Sequence, residues 1–302
     1  MSRESFRRTL RGKGPVSLKT HPSKKHEGEI LHVAKSPVVT MAPTTPIYDA
    51  IQIMAKEGFR RIPIANPGTK ALEGIATATD IIDYLGGGKK FEIIQQKYGG
   101  NIFKAINEPI RLIMTKNVVS VRTSAKVSEA IALMTEKNLG GLPVVDEENH
   151  VRAIITERDI ANMFADRISS VRVSQLMSEK VVTALSTTTI FEAEKIMATQ
   201  GFRRLPIISE GKVIGIITTM DILRFFGSGE VFTYLRSGTI VQVLSTPALK
   251  IATKNVATIN PNADIGQAAK IMRDKNIGAV PVVVNEKIVG IITERDFFKI
   301  IE

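Results

Sequence analysis

The 302-residue sequence contains no cysteine. The chain therefore forms neither disulfides nor thiolate metal sites, and this composition favours a reducing compartment. No apolar run approaches the roughly 20 residues that a membrane-spanning helix needs. The first residues are basic but have no apolar core, so they do not match a secretory signal. These absences predict a cytoplasmic protein that does not contact a membrane.

Signatures of catalysis are also missing. The sequence has no P-loop, no dinucleotide-binding fingerprint and no recognisable Ser/His/Asp set. Three of its four histidines, His21, His26 and His32, are spaced five and six residues apart without clustered carboxylates, which is not a metal-ligand pattern. We therefore predict that the protein is not an enzyme and has no metal site.

Positive charge is concentrated at the N-terminus. The net charge is +11, and residues 1–35 contribute +6 of it through nine Lys/Arg and three Glu. With its glycines and prolines, the segment 1–34 is predicted to be a flexible tail. It is either a solvated arm or a contact for nucleic acid or an acidic partner. The chain as a whole is 43% apolar and 24% charged, which is typical of a globular protein with a sizeable core.

One short pattern, Thr-x-x-Asp, occurs four times after an apolar strand-like run. Each copy follows a Met and, nine residues after that Met, a Pro. The four sets are Met54/Pro63/Thr77/Asp80, Met134/Pro143/Thr156/Asp159, Met197/Pro206/Thr218/Asp221 and Met272/Pro281/Thr293/Asp296. Recurrence at fixed internal spacing indicates four copies of one structural unit.

The unit has the pattern of a mixed α/β fold. A short β-branched run such as Val118–Val121 predicts a strand, and apolar residues at i, i+3, i+4 and i+7 predict a helix. A strand around the Pro, a strand ending at the Thr and a last helix opening at the Asp complete a β-α-β-β-α unit of about 55–60 residues. A unit of that size is marginal alone, so we expect the units to pair. Expected helix N-caps are Thr45, Ser124, Thr188 or Thr189, and Asn262, with Gly58, Asn138, Gly201 and Asn276 as C-caps.

The units alternate in type. Units one and three share Gly-Phe-Arg-Arg-x-Pro, at 58–63 and 201–206, while units two and four share Thr-Glu-Arg-Asp. This alternation predicts a duplicated pair of units. The expected segments are a tail at 1–34, units at 35–85, 109–166, 167–227 and 247–302, and connectors at 86–108 and 228–246.

The four copies closely resemble the cystathionine-β-synthase (CBS) domain. The resemblance covers nearly all of residues 36–302 and rests on Gly-Ile-Ile-Thr-x-x-Asp, the Pro strand and the helix stripe occurring together. It implies two tandem Bateman modules, similar to the γ subunit of AMP-activated protein kinase and to stand-alone archaeal relatives. Members of this family commonly hold AMP, ADP, ATP or S-adenosylmethionine in clefts between paired domains.

The resemblance implies a role for each repeated residue. A carboxylate can accept both vicinal hydroxyls of a ribose, which assigns ribose binding to Asp80, Asp159, Asp221 and Asp296, with Thr77, Thr156, Thr218 and Thr293 beside them. Guanidinium groups suit phosphate oxygens, and the candidates are Arg60, Arg61, Arg203, Arg204, Arg158 and Arg295. The alternative for Thr-x-x-Asp is a capping box that only satisfies its own helix. The γ subunit's His-Arg pair is replaced here by Ala279 and Val280, so its phosphate contacts do not transfer to unit four.

Together these patterns predict a regulatory, energy-sensing module. Its ligand would be an adenine nucleotide rather than a catalytic cofactor, and it would signal to a regulated partner protein, with homodimer formation as a further expectation. Two alternatives remain open: a nucleic-acid-binding protein that uses the tail, and a sensor of an adenosyl ligand such as S-adenosylmethionine.

Overall fold

The computed structural model describes residues 30–234 and 243–300. The predicted tail lies outside this part of the chain apart from residues 30–34. The α-helices are α1 Ile30–Val33, α2 Ile47–Glu57, α3 Ala78–Ile82, α4 Phe91–Tyr98, α5 Ile102–Ile106, α6 Val127–Glu136, α7 Glu157–Asn162, α8 Val173–Leu176, α9 Ile190–Gln200, α10 Thr219–Gly227, α11 Val231–Tyr234 and α12 Ile265–Asp274. Shorter turns are a π-helix at Asp83–Gly87 and 3₁₀-helices at Ile110–Leu112, Ala248–Lys250 and Glu294–Ile300.

The strands follow the predicted order within each repeat. They are β1 Arg61–Ala65, β2 Leu72–Thr77, β3 Val121–Arg122, β4 Gly141–Val145, β5 Val151–Thr156, β6 Ala184–Leu185, β7 Arg204–Ser209, β8 Lys212–Thr218, β9 Ala279–Val284 and β10 Lys287–Thr293. In each repeat the Pro strand pairs antiparallel with the strand that ends at the Thr. The mixed α/β class is confirmed. The opening strand of the β-α-β-β-α unit is present in repeats 2 and 3 as β3 and β6, and in repeats 1 and 4 it is reduced to the isolated bridges Met41–Ile64 and Ile259–Val282.

Several predicted element ends are wrong by a few residues. The last helix of repeats 1 to 3 begins directly after the Thr rather than at the Asp, because the Thr itself is the N-cap. Lys126 and Asp264, not Ser124 and Asn262, precede α6 and α12, whereas Thr189 is the N-cap of α9 as predicted. The left-handed backbone expected after the first helix is confirmed, with φ between 53° and 72° at Gly58, Asn138, Gly201 and Asn276.

Each repeat is completed by a segment that precedes a different repeat. The backbone of Ile75 exchanges two hydrogen bonds with Thr115, which leads into repeat 2 (2.9 and 2.9 Å). Ile154 does the same with Lys35, Ile216 with Thr253 and Ile291 with Ser178. We call the segments 30–35, 109–115, 172–178 and 247–253 the lead-in segments. They satisfy the backbone N–H and C=O of one residue within the strand that ends at the Thr.

The glycine of the Gly-Ile-Ile-Thr pattern makes room for the lead-in segment. A Cβ at Gly74 would lie 2.6 Å from the Sδ of Met114, and one at Gly290 would lie 2.6 Å from the Sδ of Met177. At Gly215 the nearest atom would be a Leu249 methyl at 3.1 Å. Close packing, rather than an unusual backbone angle, therefore explains these glycines.

The described residues form two compact units, one from 39–118, 182–234 and 243–255, the other from 30–38, 119–181 and 256–300. The first contains repeats 1 and 3. In it α2 of repeat 1 packs on α10 of repeat 3, where a Cβ at Gly227 would lie 3.1 Å from the Cβ of Ala55. Reciprocally, α9 of repeat 3 packs on the π-helical turn of repeat 1. The two repeats share one hydrophobic core.

The second unit contains repeats 2 and 4. Phe164, which follows the last helix of repeat 2, is buried in the core of repeat 4, where its ring lies 5.5 Å from that of Phe297. Phe298 of repeat 4 is buried in the core of repeat 2. Each repeat of this unit therefore contributes apolar side chains to its partner, which accounts for the stability of units that would be marginal alone.

One buried carboxyl stands where the other repeats are apolar. Glu194 on α9 occupies the place that Ile51, Ile131 and Ala269 fill in the other helices, and it is fully buried. Neither carboxyl oxygen has a hydrogen-bond partner in the described part of the chain. A Cβ at Gly86 would lie 2.7 Å from its Oε2 and 2.7 Å from a Leu244 methyl. Burial raises the pKa of Glu194 well above its usual range, so the buried site favours the neutral carboxyl over the carboxylate.

We predict that Glu194 makes stability fall as pH rises. The folded-state pKa is raised, so its contribution to the unfolding free energy is fully present below about pH 4.3, the ordinary carboxyl pKa, and is lost as pH rises toward the raised value. Glu194→Leu should remove this slope and raise the unfolding free energy at pH 7 by about 1–3 kcal/mol, because it removes an unsatisfied polar group. Urea denaturation between pH 5 and 8 measures both effects.

Glu194→Gln is the matched control, since it keeps the shape and the buried polarity but does not titrate. It should lose the pH slope without gaining the full stability of the leucine variant. A wild-type protein with a flat profile over this range would contradict the assignment.

Candidate functional site

The Thr-x-x-Asp pattern forms the same hydrogen-bonded turn in all four repeats. The Thr backbone N–H and hydroxyl both donate to Oδ2 of the Asp three residues later. The distances are 3.0 and 2.6 Å at Asp80, 2.8 and 2.6 Å at Asp159, 2.8 and 2.6 Å at Asp221, and 2.8 and 2.8 Å at Asp296. In repeats 1 to 3 the Asp backbone N–H also donates to the Thr hydroxyl. The capping alternative is thus confirmed for these three repeats, and the Thr and Asp side chains hold each other in place.

Capping occupies only one oxygen of each carboxylate. The other oxygen, Oδ1, accepts from Lys90 Nζ at 2.8 Å in repeat 1 and from Lys299 Nζ at 2.7 Å in repeat 4. In repeat 3 the guanidinium of Arg224 approaches Asp221 Oδ1 at 3.3 Å. In repeat 2, Asp159 Oδ1 has no hydrogen-bond donor among residues 30–234 and 243–300. The cap therefore does not exclude ligand binding, because a second acceptor oxygen remains on the same rigid carboxylate.

Burial makes three of these carboxylates poorly solvated. The exposed fraction is 7% for Asp159, 8% for Asp221 and 5% for Asp296. Desolvation raises the pKa of Asp159 and of Asp221, even though the Thr hydrogen bonds act in the opposite direction. Additional donors at Oδ1 would stabilise the charged form of each group.

The odd repeats place arginines directly beside the capped turn. Arg61 and Arg204 begin their strands opposite Thr77 and Thr218 in the β-ladder. The carbonyl of Arg60 accepts from Ala78 N at 2.9 Å, and that of Arg203 accepts from Thr219 N at 3.0 Å. The backbone of these four arginines is thereby fixed next to the start of the Asp-bearing helix. One ligand could therefore contact both the Asp and an Arg.

The even repeats have small residues at these positions. Gly141 and Ala279 lie opposite Thr156 and Thr293, and the carbonyls of Gly140 and Gly278 accept from Glu157 N and Glu294 N, both at 3.2 Å. The two types of repeat therefore share the capped Asp but differ in the charge next to it.

The side chains of Arg158 and Arg295 form ion pairs within the second unit. Arg158 Nε donates to Glu294 Oε1 of repeat 4 at 2.7 Å, and Arg295 Nε donates to Glu157 Oε1 of repeat 2 at 2.7 Å. Arg295 also donates to the carbonyls of Met134 and Leu139 at 3.1 and 2.6 Å. Phosphate binding by these two arginines stays a prediction, and the contacts assign them a role in joining repeats 2 and 4.

Sequence reasoning missed four residues that complete this arrangement. Glu157 and Glu294 are 3% and 2% exposed and balance the two arginines. The sequence contained a signal for these two ion pairs, because both even repeats carry Thr-Glu-Arg-Asp, with one acidic and one basic residue between the Thr and the Asp. Lys90 had no such signal, since it lies ten residues after its Asp, whereas Lys299 lies three residues after its Asp, a spacing that brings opposite charges together on a helix.

One further cluster contains potential metal ligands. Asp146, Glu148 and His150 each place one ligand atom within 4.8 Å of the others. Asp146 already accepts from the His150 backbone N at 2.7 Å and from Arg152 Nε at 2.6 Å. Partial burial acts to raise the pKa of Asp146, but these hydrogen bonds outweigh it and lower the pKa. Protein donors thus account for this carboxylate without a metal ion.

The comparisons with known proteins agree with this geometry. The family model of the CBS domain matches residues 28–87, 110–166, 173–228 and 248–302. The chain belongs to the CBS domain family and carries four copies of the domain. No helix among the described residues has the length and hydropathy that crossing a bilayer requires.

Two relatives match most of the chain. Protein MJ1225 of Methanocaldococcus jannaschii is 37% identical over 264 residues, covering 87% of this chain and 94% of that protein. A 33.4 kDa protein encoded in a ribosomal RNA operon of Thermofilum pendens is 30% identical, with 88% and 89% covered.

A crystal structure of MJ1225 superposes with a TM-score of 0.85 at 35% identity, covering 90% of this chain and 99% of that one. That work describes MJ1225 as a proposed archaeal homologue of g-AMPK. A conserved protein from Pyrococcus horikoshii is similar in fold alone, with a TM-score of 0.58 at 20% identity.

We predict that the reciprocal Glu–Arg pairs stabilise the second unit. Glu157→Gln should lower the unfolding free energy by about 3 kcal/mol, because it leaves Arg295 facing a site built for a charge. Lys270→Gln is the control: its pair with Asp274 is exposed on both sides, so the expected loss is below about 0.5 kcal/mol. Chemical denaturation compares them, and equal losses would show that the Glu157–Arg295 pair is no more important than a surface pair.

Proposed function

We propose that this protein is a non-catalytic sensor that binds adenine nucleotides at its Thr-x-x-Asp sites and signals their occupancy to a partner protein. The supporting observation is the capped carboxylate. In each repeat the Thr fixes Oδ2, so Oδ1 is held in a defined position on a carboxylate that is buried in repeats 2 to 4 and half-buried in repeat 1. An oxygen of this kind is suited to the hydroxyls of a ribose, because charge-assisted hydrogen bonds are strongest where the acceptor is rigid and poorly solvated.

The arginines of the odd repeats supply the second half of a nucleotide site. Arg60 and Arg61 adjoin the capped turn of repeat 1, and Arg203 and Arg204 adjoin that of repeat 3. A guanidinium beside a ribose-binding carboxylate is suited to the 5′-phosphate of the same ligand. The family resemblance and the likeness to MJ1225 support the same ligand class.

The packing suggests how occupancy would become a signal. Asp221 lies in the first turn of α10, whose last residue, Gly227, contacts α2 of repeat 1. Asp159 lies next to Arg158, which pairs with Glu294 two residues before Asp296. A ligand that favours one arrangement of such an element shifts the populations of both repeats that share it.

The first test is calorimetric titration of the full chain with AMP, ADP, ATP and S-adenosylmethionine. We expect saturable binding of at least one adenine nucleotide. Absence of heat with all four ligands, for a folded protein, would refute the proposal. Saturation by S-adenosylmethionine alone would favour the adenosyl-ligand alternative.

A variant pair separates ribose binding from helix capping. Asp221→Asn should weaken nucleotide binding at repeat 3 at least tenfold, about 1.4 kcal/mol, because the neutral amide loses the charge-assisted contact. Glu192→Gln is the control, since Thr189 and Glu192 form the same capping box on α9, with Thr189 N to Glu192 Oε2 at 2.8 Å, away from the Thr-x-x-Asp site. Equal affinity of the two variants would show that Asp221 only caps its helix.

A further inference from the structure

We propose that Lys90 and Lys299 occupy the ligand-binding oxygens of repeats 1 and 4, so that nucleotide fills repeats 2 and 3 first. This inference rests on the proposed function. The two lysines would determine the order in which the four sites fill.

The two lysines make the same pair of hydrogen bonds. Lys90 Nζ donates to Asp80 Oδ1 at 2.8 Å and to the carbonyl of Ile113 at 2.8 Å. Lys299 Nζ donates to Asp296 Oδ1 at 2.7 Å and to the carbonyl of Leu176 at 2.8 Å. Each ammonium therefore joins the free carboxylate oxygen to a lead-in segment.

The two carbonyls are structurally equivalent. Ile113 lies two residues before Thr115, which pairs with Ile75, and Leu176 lies two residues before Ser178, which pairs with Ile291. The lysines themselves come from different places, since Lys90 precedes α4 and Lys299 lies in the 3₁₀-helix Glu294–Ile300. Two unrelated chain positions thus place an ammonium group at the same point of the repeat.

The other two repeats differ at this point. Arg224 reaches Asp221 Oδ1 only at 3.3 Å, and its side chain is 55% exposed, against 30% for Lys90 and 38% for Lys299. For Asp159 Oδ1 no donor is found among the described residues, and Lys35 acts on this carboxylate only through its charge. At Oδ1 a hydroxyl donor therefore meets less competition from protein donors in repeats 2 and 3 than in repeats 1 and 4.

Competition for lone pairs gives the lysines their effect. Oδ2 already accepts two hydrogen bonds from the Thr, so a ribose must use Oδ1. In repeats 1 and 4 one lone pair of Oδ1 is taken by an ammonium that is also anchored on a carbonyl. Binding both ribose hydroxyls there requires the lysine to leave, and leaving breaks two hydrogen bonds of a charged donor.

Lys90→Met and Lys299→Met test the proposal, because methionine keeps most of the apolar stem and removes the ammonium. In titrations of the full chain with AMP, the wild type should show two tighter and two weaker equivalents. Each substitution should lower the dissociation constant of one of the two weaker sites at least fivefold. Lys97→Met is the control: Lys97 lies on the adjacent α4 and pairs at 3.7 Å with Glu108, and its variant should match the wild type.

Weaker binding in Lys90→Met or Lys299→Met would overturn the inference, since it would make the ammonium a phosphate ligand. Four equal sites in the wild type would overturn it too, while leaving the proposed function intact. Absence of AMP binding in wild type and variants alike would instead refute the proposed function.

A measurement on the unaltered protein guards against variants that fail to fold. The lysine Nζ–H NMR signals of Lys90 and Lys299 should be protected in the free protein, persist while the first two equivalents bind, and disappear only at saturation. Their loss with the first equivalent would contradict the filling order.

Discussion

The structure of each repeat depends on one short interaction, the pair of hydrogen bonds from a Thr to Oδ2 of the Asp three residues later. It marks the end of the second strand of the hairpin and the start of the following helix in one step, because the Thr is the last strand residue and also the N-cap. It also fixes the orientation of the carboxylate. The direction of the helix, the placement of Oδ1 and the position of the neighbouring Arg or Gly all follow from this turn.

The turn acts together with exchange between repeats. Lead-in segments pair with the strand that ends at the Thr, and the last helices of alternate repeats pack on one another or on each other's first helix. A repeat of about 55–60 residues has too small a core of its own, so each compact unit is built from two repeats and segments of others. The Asp-bearing helix of one repeat therefore forms part of the packing surface of the other repeat in the same unit.

Much of this could be predicted from the sequence. Four copies of Thr-x-x-Asp, the Pro strand and the apolar helix stripe gave the family and the strand pairing, because these depend on contacts within about 60 residues. The capping box was recognised as an alternative, and in the structure its Thr engages one carboxylate oxygen of each Asp, Oδ2, and leaves Oδ1 to other donors.

What could not be predicted comes from contacts distant in sequence. Lys90 and Ile113 meet across 23 residues, and Arg295 and Glu157 meet across 138. No local spacing encodes such pairs. The grouping of repeat 1 with repeat 3 and of repeat 2 with repeat 4 likewise depends on packing between helices that a repeat pattern does not specify. Glu194 was visible only as a break in an apolar stripe, and only burial reveals its raised pKa.

The most direct test of the account is a crystal structure of the full chain grown with AMP. We expect the ribose hydroxyls to lie within hydrogen-bond distance of Asp159 Oδ1 and Asp221 Oδ1 while the Thr caps remain in place. AMP bound away from all four Asp carboxylates, or Asp side chains that leave their caps without contacting the ribose, would contradict it.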